Sequence, residues 1–243
     1  MSLRLYVPLP LAAGSEIVLP AGAARHAQVR RLQPGHSLYL FDGSGADWRA
    51  DVLSMGRSEV RVRIGDTAVP AAAELPLHVT LAMGMPANER MDLLVEKATE
   101  LGVACIQPLL TERSVLRLDG ERAERKRQHW QAIAIAACEQ CGRATLPQVQ
   151  PVATLRQWLP QAGAGQRLVL SLAAGARPLA LAFDLAGGRA LTTLSGPEGG
   201  LSAEEQAAVA SQGFIATTLG PRVLRADTAP LAVLAWLGQQ AAA

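Results

Sequence analysis

Two loops near the C-terminus combine glycine, arginine and carboxylate residues in a way that suits ligand binding and proton transfer. The loop at 195–202 reads Ser-Gly-Pro-Glu-Gly-Gly-Leu-Ser, and its three glycines allow sharp turns and a close approach to a ligand. The loop at 219–229 reads Leu-Gly-Pro-Arg-Val-Leu-Arg-Ala-Asp-Thr-Ala. Its guanidinium groups can stabilise developing negative charge, and its carboxylate can accept a proton. These residue types make both loops candidates for a ligand site.

The first loop lies between a predicted strand at 190–194 and a predicted helix. Ser202 and Glu205 have the spacing of a capping box, in which each side chain bonds to the backbone N–H of the other residue. The loop therefore lies at the carboxyl end of a strand, where parallel α/β sheets bind ligands. It lacks the Gly-Lys-Ser/Thr ending of a P-loop, and its glycine spacing does not match the Rossmann fingerprint. A site for nucleotide phosphates is therefore disfavoured.

The second loop has the same setting in the predicted sheet. It follows a predicted strand at 214–219, and Asp227 or Thr228 can cap a final helix predicted near 228–240. The residues by themselves leave one alternative open, in which both loops are ordinary strand-to-helix connections and their glycines serve geometry only.

The chain from residue 75 onward alternates predicted strands with predicted helices, which is typical of a parallel α/β sheet. The helix predicted at 89–101 has Asn88 as a candidate N-cap and Gly102 at its end. Its apolar residues recur at helical spacing and are Met91, Leu94, Val95, Ala98 and Leu101. The other predicted elements are a long helix at 121–141 and strands at 77–83, 103–110, 168–172, 190–194 and 214–219.

Residues 1–70 are predicted to form a small, mostly antiparallel barrel, because short strands alternate with turn signals such as Asp-Gly-Ser-Gly at 42–45. One short helix is predicted near 22–31. The predicted strands are 3–7, 16–19, 37–41, 48–53 and 59–64. The Pro-Ala-Ala-Ala-Glu segment at 70–74 is predicted to link two domains.

The composition argues against several classes of protein. A net charge of +2 gives no basic field over the whole chain, and 49% hydrophobic with 18% charged residues argues against disorder. Three cysteines fit a reducing compartment better than a disulfide framework. The N-terminus lacks the apolar core of a signal peptide, and no apolar run approaches the roughly 18 residues of a membrane span. We expect a cytoplasmic protein without membrane contact.

Cys138 and Cys141 have the C-x-x-C spacing of some redox and zinc sites. A helix would place both thiols on one apolar face, and neither a second cysteine pair nor a histidine cluster accompanies them. We therefore expect core packing here and no metal site in the protein.

Several segments, in order along nearly the whole chain, resemble the RsmE family of SPOUT methyltransferases. The two loops carry the resemblance as GPEGGLS and as LGPRVLR followed by an acid and Thr-Ala. The other segments are RLYVP (4–8), the stretch 25–45, ERMDLLVEKATELGV (89–103), TERSV (111–115) and ACEQCGR (137–143). The family uses S-adenosylmethionine (SAM) to methylate N3 of a uridine in the 16S ribosomal RNA of the bacterial small subunit.

The resemblance implies a PUA-like RNA-binding β-barrel over 1–70 and a SPOUT α/β domain with a trefoil knot over 75–243. It also implies a homodimer with its cofactor sites near the interface. In this family three loops hold SAM, largely through backbone groups. Carried over to this chain, the cofactor-binding residues are Ser171, Leu172, Gly196, Pro197, Glu198, Gly199, Gly200, Leu219, Gly220, Val223, Leu224 and Arg225.

Arg225 and Asp227 are the candidate catalytic residues. The uridine nitrogen carries a proton and becomes a good nucleophile only when the proton is lost. Arg225 can stabilise the negative charge that spreads onto the carbonyl oxygens, and Asp227 or Glu198 can accept the proton. Two alternatives stay open, in which Glu198 ties its loop to backbone donors and Arg222 makes a surface or dimer contact.

The chain departs from the family pattern at two places. Ala87 and Asn88 stand where the family has a basic residue and a glycine, and Ala226 and Asp227 stand where it has Thr and Glu. Because Asp is one methylene shorter than Glu, it suits a helix cap better than a long reach. Two alternative functions follow: a catalytically decayed RNA-binding assembly protein, and another SPOUT methyltransferase that acts on a transfer RNA base or on ribose.

Five arginines of the predicted barrel are candidate contacts to RNA phosphates, although each by itself also fits a solvated surface charge. They are Arg4, Arg25, Arg30, Arg31 and Arg49. The expected partner is 16S ribosomal RNA, free or within the 30S subunit.

Overall fold

The computed structural model describes residues 2–70 and 74–241. Residues 71–73, the centre of the predicted linker, lie outside the described residues. The chain divides into two compact units, the first formed by Met1–Glu74 and Ile135–Leu146 and the second by Leu75–Ala134 and Pro147–Ala243. Each unit has a hydrophobic core of its own.

The first unit contains a five-stranded sheet, one short helix of its own and the C-terminal end of a long helix that begins in the second unit. Its elements are β1 (Arg4–Tyr6), β2 (Glu16–Val18), α1 (Ala21–Val29), β3 (Ser37–Phe41), β4 (Ala46–Met55) and β5 (Val60–Pro70). The strands lie in the order β1-β3-β4-β5-β2, in which β1 and β3 are parallel and the other neighbours are antiparallel. The predicted short strands, their mostly antiparallel pairing and the short helix are confirmed.

Strand β5 continues beyond its predicted end at residue 64. The pairing of β4 with β5 shifts register near Ala50, which pairs with Ile64. A Cβ on Gly65 would lie 3.0 Å from the backbone oxygen of Arg49, so the missing side chain permits the close approach at this irregularity. A glycine in a sequence often indicates the end of a strand, whereas Gly65 allows the pairing of β4 with β5 to continue.

The second unit is built on a parallel sheet. Its elements are β6 (His78–Gly84), α2 (Asn88–Glu100), β7 (Cys105–Leu110), α3 (Gly120–Cys141, of which the residues from Ile135 on belong to the first unit), β8 (Gln148–Val149), β9 (Ala153–Thr154), α4 (Leu155–Trp158), β10 (Gln166–Leu170), β11 (Arg177–Pro178), α5 (Leu179–Ala182), β12 (Ala190–Ser195), α6 (Ala203–Ser211), β13 (Ile215–Thr218) and α7 (Thr228–Ala241). The strand order is β11-β13-β10-β12-β6-β7-β8, with β9 also on β7, and these pairs are all parallel. The predicted parallel α/β sheet is confirmed. The helix predicted to follow the strand at 168–172 is present as α5, although it has only four residues. The elements that the sequence did not predict, β8, β9, α4 and β11, have two to four residues, too few to show a period.

Helix α2 packs into the core of the second unit and contacts α7. Its apolar face is fully buried as its spacing predicted, through Met91, Leu94, Val95 and Ala98. Its N-cap is Ala87 rather than Asn88, and no side chain caps this end. The expected Asn88 cap is therefore wrong, and the start of α2 is held in another way, described below.

Candidate functional site

The carboxyl ends of three neighbouring strands open into one cavity of the second unit. Strand β10 lies between β13 and β12, and the three run parallel, so the loops that follow them lie side by side. These loops begin at Ser171, Gly196 and Leu219 and line a cavity of about 950 Å³. The arrangement matches the rule that parallel sheets bind ligands at the carboxyl ends of their strands.

Nearly all of the predicted cofactor-binding residues line this cavity. They are Ser171, Leu172, Gly196, Pro197, Glu198, Gly200, Leu219, Gly220, Val223, Leu224 and Arg225. Gly199 is not in the lining, and its carbonyl oxygen accepts a hydrogen bond of 3.0 Å from Nη1 of Arg113. The structure thus brings together three loops that are far apart in sequence.

The glycine loop after β12 folds back tightly on itself. A Cβ on Gly196 would lie 2.8 Å from the carbonyl carbon of Gly200, and Gly200 itself has a positive φ of 68°. A Cβ on Gly84, at the end of β6, would lie 2.4 Å from Cδ of Pro197. A side chain at Gly196 or Gly84 would collide with backbone or proline ring atoms, and the positive φ of Gly200 is one that L side chains rarely adopt, so glycine suits all three positions. The loop therefore presents mainly backbone to the cavity.

The start of α6 fastens the glycine loop to the segment after β7. The capping box predicted for Ser202 and Glu205 is confirmed, with both reciprocal bonds present. The second carboxylate oxygen of Glu205 accepts a hydrogen bond of 2.8 Å from the N–H of Glu112. Together with the bond from Arg113 to Gly199, this bond attaches the segment after β7 to α6 and to the glycine loop.

Arg113 and Arg90 also line the cavity, and sequence reasoning did not assign either residue to it. Arg113 could have been found from the sequence, because it comes just after the strand predicted at 103–110. The carboxyl end of that strand is expected on the same side of the sheet as the two loops. Arg90 follows β6 in the same way, within the first turn of α2.

Glu198 is held by the start of α2. Its Oε1 accepts a hydrogen bond of 3.3 Å from the N–H of Ala87 and lies 3.9 Å from Nη1 of Arg90. The carboxylate is engaged in fastening its loop, which favours the structural alternative over proton transfer. The contact uses the backbone of Ala87, so the departure from the family's basic residue at this position does not remove it.

The second loop brings Arg225 to the cavity but not Asp227. Arg222 and Arg225 line the cavity and are exposed, whereas Asp227 is buried and absent from the lining. Within the described residues, Oδ1 of Asp227 has no hydrogen-bond partner. The N–H groups of Thr228 and Ala229 bond instead to the carbonyl oxygen of Arg225. Direct proton acceptance by Asp227 at the cavity is therefore disfavoured, because burial keeps its carboxylate out of the lining.

The cavity combines apolar surface with positive charge and an unpaired hydroxyl. Its lining includes Leu170, Leu201 and Phe214. Its charged residues are Arg90, Arg113, Glu198, Arg222 and Arg225. The hydroxyl of Ser195 is buried in the lining and has no partner among the residues that the structure describes. A ligand with an apolar part and several polar groups suits this surface.

In the first unit, Arg4 is a structural residue. Its guanidinium pairs with Asp47 at 2.7 Å, donates to the carbonyl oxygen of Cys138 at 2.6 Å and lies 4.8 Å from the ring centre of Phe41. Carbonyl groups near the end of a helix lack partners within the helix, and Arg4 satisfies one of those in α3. Because its side chain is only 13% exposed, we remove Arg4 from the candidate RNA contacts.

The other candidate arginines of the first unit are exposed. Arg25 lies on α1, and Arg30 and Arg31 directly follow it. Arg49 donates to the hydroxyl of Ser37 at 3.0 Å and lies 3.8 Å from Asp51. Exposure leaves these four arginines available to an RNA backbone.

The C-x-x-C pair lies within the first unit and has the surroundings of a packing site. Cys138 is fully buried in a cluster with Phe41 and Ala144, and Cys141 is half-buried. Burial raises the pKa of the Cys138 thiol to about 12. Over residues 2–70 and 74–241, no group of three or more His, Cys, Asp or Glu side chains is placed to hold a metal ion. Over the same residues, no helix combines the length and apolar character that crossing a membrane requires.

Comparison with known proteins gives a consistent result. Residues 73–238 match the model of the RNA methyltransferase domain, and residues 19–65 match that of the RNA methyltransferase PUA domain. Ribosomal RNA small subunit methyltransferase E of Mycobacterium tuberculosis is 32% identical, with 98% of this chain and 92% of that protein covered. The protein of that name from Synechocystis is also 32% identical, with 97% and 77% covered.

Two solved structures with bound SAM cover almost the whole chain. One is ribosomal RNA small subunit methyltransferase E from Neisseria gonorrhoeae, with 33% identity, a TM-score of 0.90 and coverage of 99% of this chain and 98% of that one. The other is a methyltransferase from Legionella pneumophila, with 34% identity, a TM-score of 0.91 and the same coverage.

Proposed function

This chain belongs to the RNA methyltransferase family that includes ribosomal RNA small subunit methyltransferase E, and we propose that it methylates N3 of one uridine in 16S ribosomal RNA with SAM as the methyl donor. The observation that carries this proposal is the convergence of the loops after β10, β12 and β13 on one cavity. The N3 position and the uridine come from the family resemblance.

The cavity residues fit SAM. The glycine loop presents mainly backbone to the cavity, since Gly196 packs against the backbone of Gly200 without room for a Cβ, and the unpaired hydroxyl of Ser195 offers a polar contact. Leu170, Leu201 and Phe214 supply apolar surface for an adenine ring. Bound SAM supplies a methyl group that is activated by its positively charged sulfur.

We assign catalysis chiefly to positioning and to Arg225. The loops must hold the uridine nitrogen close to the methyl group and in line with the bond that breaks. Arg225 lies in the lining, where its guanidinium stabilises charge on the uracil carbonyl oxygens as the N3 proton leaves. Because Glu198 is engaged with Ala87 and Asp227 is buried outside the lining, we propose that the proton passes to water. Asp227 keeps the role of an indirect acceptor through such a water.

We further propose that the first unit binds the RNA and that its sheet closes into a PUA-like barrel. The match of residues 19–65 to the PUA domain supports this role, as do the exposed Arg25, Arg30, Arg31 and Arg49. The corresponding domain division is 1–70 for RNA binding and 75–243 for methyl transfer. An enzyme with this substrate works in the cytoplasm.

A trefoil knot in the second unit and a homodimer complete the proposed architecture. The strand order supports a knot, because β12 lies between β10 and β6, and the chain after β13 returns to the cavity lined by the loops of β10 and β12. Leu172 and Val223 support the dimer, since these apolar side chains at the cavity are 65% and 78% exposed in one chain. A partner subunit that covered them would place the cofactor sites near the interface.

Two alternative functions are less well supported. A methyltransferase for transfer RNA or ribose would need relatives with such substrates, whereas the relatives described above are named for the ribosomal small subunit. A decayed enzyme would be expected to lose parts of its cofactor site, whereas the three loops line one cavity and the tight turn of the glycine loop is present.

The direct test is methyl transfer in vitro by the purified full-length protein. The substrates are SAM with an isotopically labelled methyl group and 30S subunits from a strain that lacks the gene. Mass spectrometry of the nucleosides is expected to show labelled 3-methyluridine, and 30S subunits that already carry the modification are expected to stay unlabelled. Label in another nucleoside, or in no nucleoside despite SAM binding, would contradict the proposal.

A further inference from the structure

The cavity of the second unit contains more positive charge than a methyl donor requires. Among the residues that the structure describes, four arginines line it, Arg90, Arg113, Arg222 and Arg225, and Glu198 is the one residue of the lining with a carboxylate side chain. Nη1 of Arg90 lies 3.9 Å from Oε1 of Glu198, so the carboxylate balances the positive charge of this arginine. Within residues 2–70 and 74–241, Arg113, Arg222 and Arg225 form no ion pair.

Arg113 is held at the cavity by its neighbours. Its Nη1 donates to the carbonyl oxygen of Gly199 at 3.0 Å, and the adjacent N–H of Glu112 bonds to Glu205 at 2.8 Å. A guanidinium has five N–H donors, so one such bond leaves most of its donors for a ligand. Arg222 lies on the opposite loop, after β13, and its side chain is exposed. The two arginines therefore approach the cavity from two separate segments.

The charges at the cavity favour a second anion beside SAM, an inference that rests on the proposed function. SAM carries a sulfonium, an ammonium and a single carboxylate, so its net charge is positive and it opposes further guanidinium groups. Backbone N–H groups of the loops can bind the single carboxylate. Arg225 is assigned to the uracil oxygens, so Arg113 and Arg222 remain for another anion. RNA brings a phosphate with each nucleotide, and arginine is the side chain best suited to phosphate recognition.

We propose that Arg113 and Arg222 bind phosphate groups of the RNA strand whose uridine enters the cavity, so that the catalytic unit itself holds the substrate backbone. RNA contact is then not confined to the first unit. The positively charged residues at the cavity orient the strand, while the glycine loop in the same lining binds the methyl donor.

The test measures how RNA affinity depends on salt. Each phosphate contact in single-stranded RNA contributes about 0.7 to the slope of log affinity against log salt concentration. We would titrate unmodified 16S ribosomal RNA transcript into the wild-type protein and into Arg113→Ala, Arg222→Ala and the double variant. Arg156→Ala is the matched control, because Arg156 is an exposed arginine of the second unit outside the cavity lining.

Each single variant is expected to lower the slope by about 0.7 and to weaken binding severalfold, with additive losses in the double variant. Arg113→Lys is expected to keep the slope, since it keeps the charge. Arg113→Gln keeps N–H donors for the Gly199 carbonyl but loses the charge, so it is expected to lower the slope, whereas a purely structural role through Gly199 would leave the slope unchanged. Arg156→Ala should match the wild type. SAM affinity without RNA, measured by calorimetry, should change less than about twofold in Arg222→Ala.

Unchanged slopes in both single variants would overturn the inference. A tenfold loss of SAM affinity with an unchanged RNA slope would also overturn it and would assign the arginine to the carboxylate of SAM. Failure of the proposed function has a different signature, in which the wild-type protein itself transfers no methyl group to the RNA.

Discussion

The carboxylate of Glu198 accepts a hydrogen bond from the backbone N–H of Ala87 at 3.3 Å, across 111 residues of sequence. The bond joins the glycine loop after β12 to the first turn of α2. It gives Glu198 a structural role, whereas the sequence also made this carboxylate a candidate proton acceptor, and the side chain does line the cavity.

The two roles of Glu198 predict different results for Glu198→Gln. The amide keeps an oxygen that can accept from Ala87, so we expect turnover within about threefold of wild type and unchanged SAM affinity. A proton acceptor would instead lose about a hundredfold or more in kcat. Glu198→Ala removes the acceptor and is expected to raise the Kd for SAM severalfold, measured by calorimetry.

Gly196→Ala is expected to weaken SAM binding at least tenfold while the protein remains folded. The added Cβ would lie 2.8 Å from the carbonyl carbon of Gly200, so the loop must open at the cavity. Gly163→Ala is the control, because its Cβ meets nothing within 4 Å. Calorimetry of both variants, with circular dichroism for folding, makes the comparison. Equal SAM affinities would show that the tight turn of the loop is not required for binding.

Arg225→Ala is expected to lower kcat about a hundredfold to a thousandfold, by analogy with the loss of one oxyanion-stabilising donor. Arg225→Lys keeps the charge and should recover part of the rate. Single-turnover methyl transfer at saturating SAM separates the chemical step from binding. Near-wild-type methylation by Arg225→Ala with intact SAM binding would remove Arg225 from the mechanism.

Glu139 predicts a pH dependence of stability. Burial raises the pKa of this carboxyl above its ordinary value of 4.5, despite the bond from the Tyr6 N–H and the nearby His26 and Arg4. The folded chain therefore keeps the proton to higher pH than the unfolded chain, and the free energy of unfolding falls as pH rises through that interval.

Glu139→Gln is expected to flatten this part of the pH profile, because the amide does not titrate and still accepts from the Tyr6 N–H. Glu121→Gln is the control on the same helix, since the Glu121 side chain is 93% exposed. Thermal unfolding between about pH 4.5 and pH 7 measures the difference. Identical pH profiles for Glu139→Gln and the wild type would contradict the claim that the buried carboxyl of Glu139 keeps its proton to higher pH in the folded chain.

Cys138 is expected to resist alkylation in the folded protein. With a pKa of about 12, roughly one thiol in ten thousand is ionised at about pH 8, and the thiolate is the reactive form. Iodoacetamide should label this cysteine rapidly after unfolding in urea, as peptide mass mapping can show. Equal labelling rates in the folded and unfolded protein would mean that the thiol is accessible and that its packing role is wrong.

Local features of the fold were predictable from sequence because their cause is local. The buried face of α2 follows from the spacing of Met91, Leu94 and Val95, and the Ser202–Glu205 capping box joins residues three apart. The position of the two loops at the carboxyl ends of strands was predictable for a similar reason, since each loop directly follows its own strand. None of these inferences requires knowledge of which strands are neighbours.

Contacts across long separations were not predictable in this way. The bond from Arg113 to Gly199 spans 86 residues and depends on the order of the strands in the sheet, which periodicity does not specify. Arg4 was taken for an RNA contact because its sequence neighbours do not reveal Asp47 or the carbonyl groups of α3. The burial of Asp227 depends likewise on what packs around the second loop.

The most direct measurement of the central claim is the methylation state of 16S ribosomal RNA in cells. The gene would be deleted and then restored as the wild type or as Arg225→Ala, and the RNA fragments would be mapped by mass spectrometry. We expect the deletion to remove one methyl group from a single uridine, the wild type to restore it, and Arg225→Ala to fail. A 16S ribosomal RNA that keeps every methyl group after deletion, with a change in transfer RNA instead, would contradict the account.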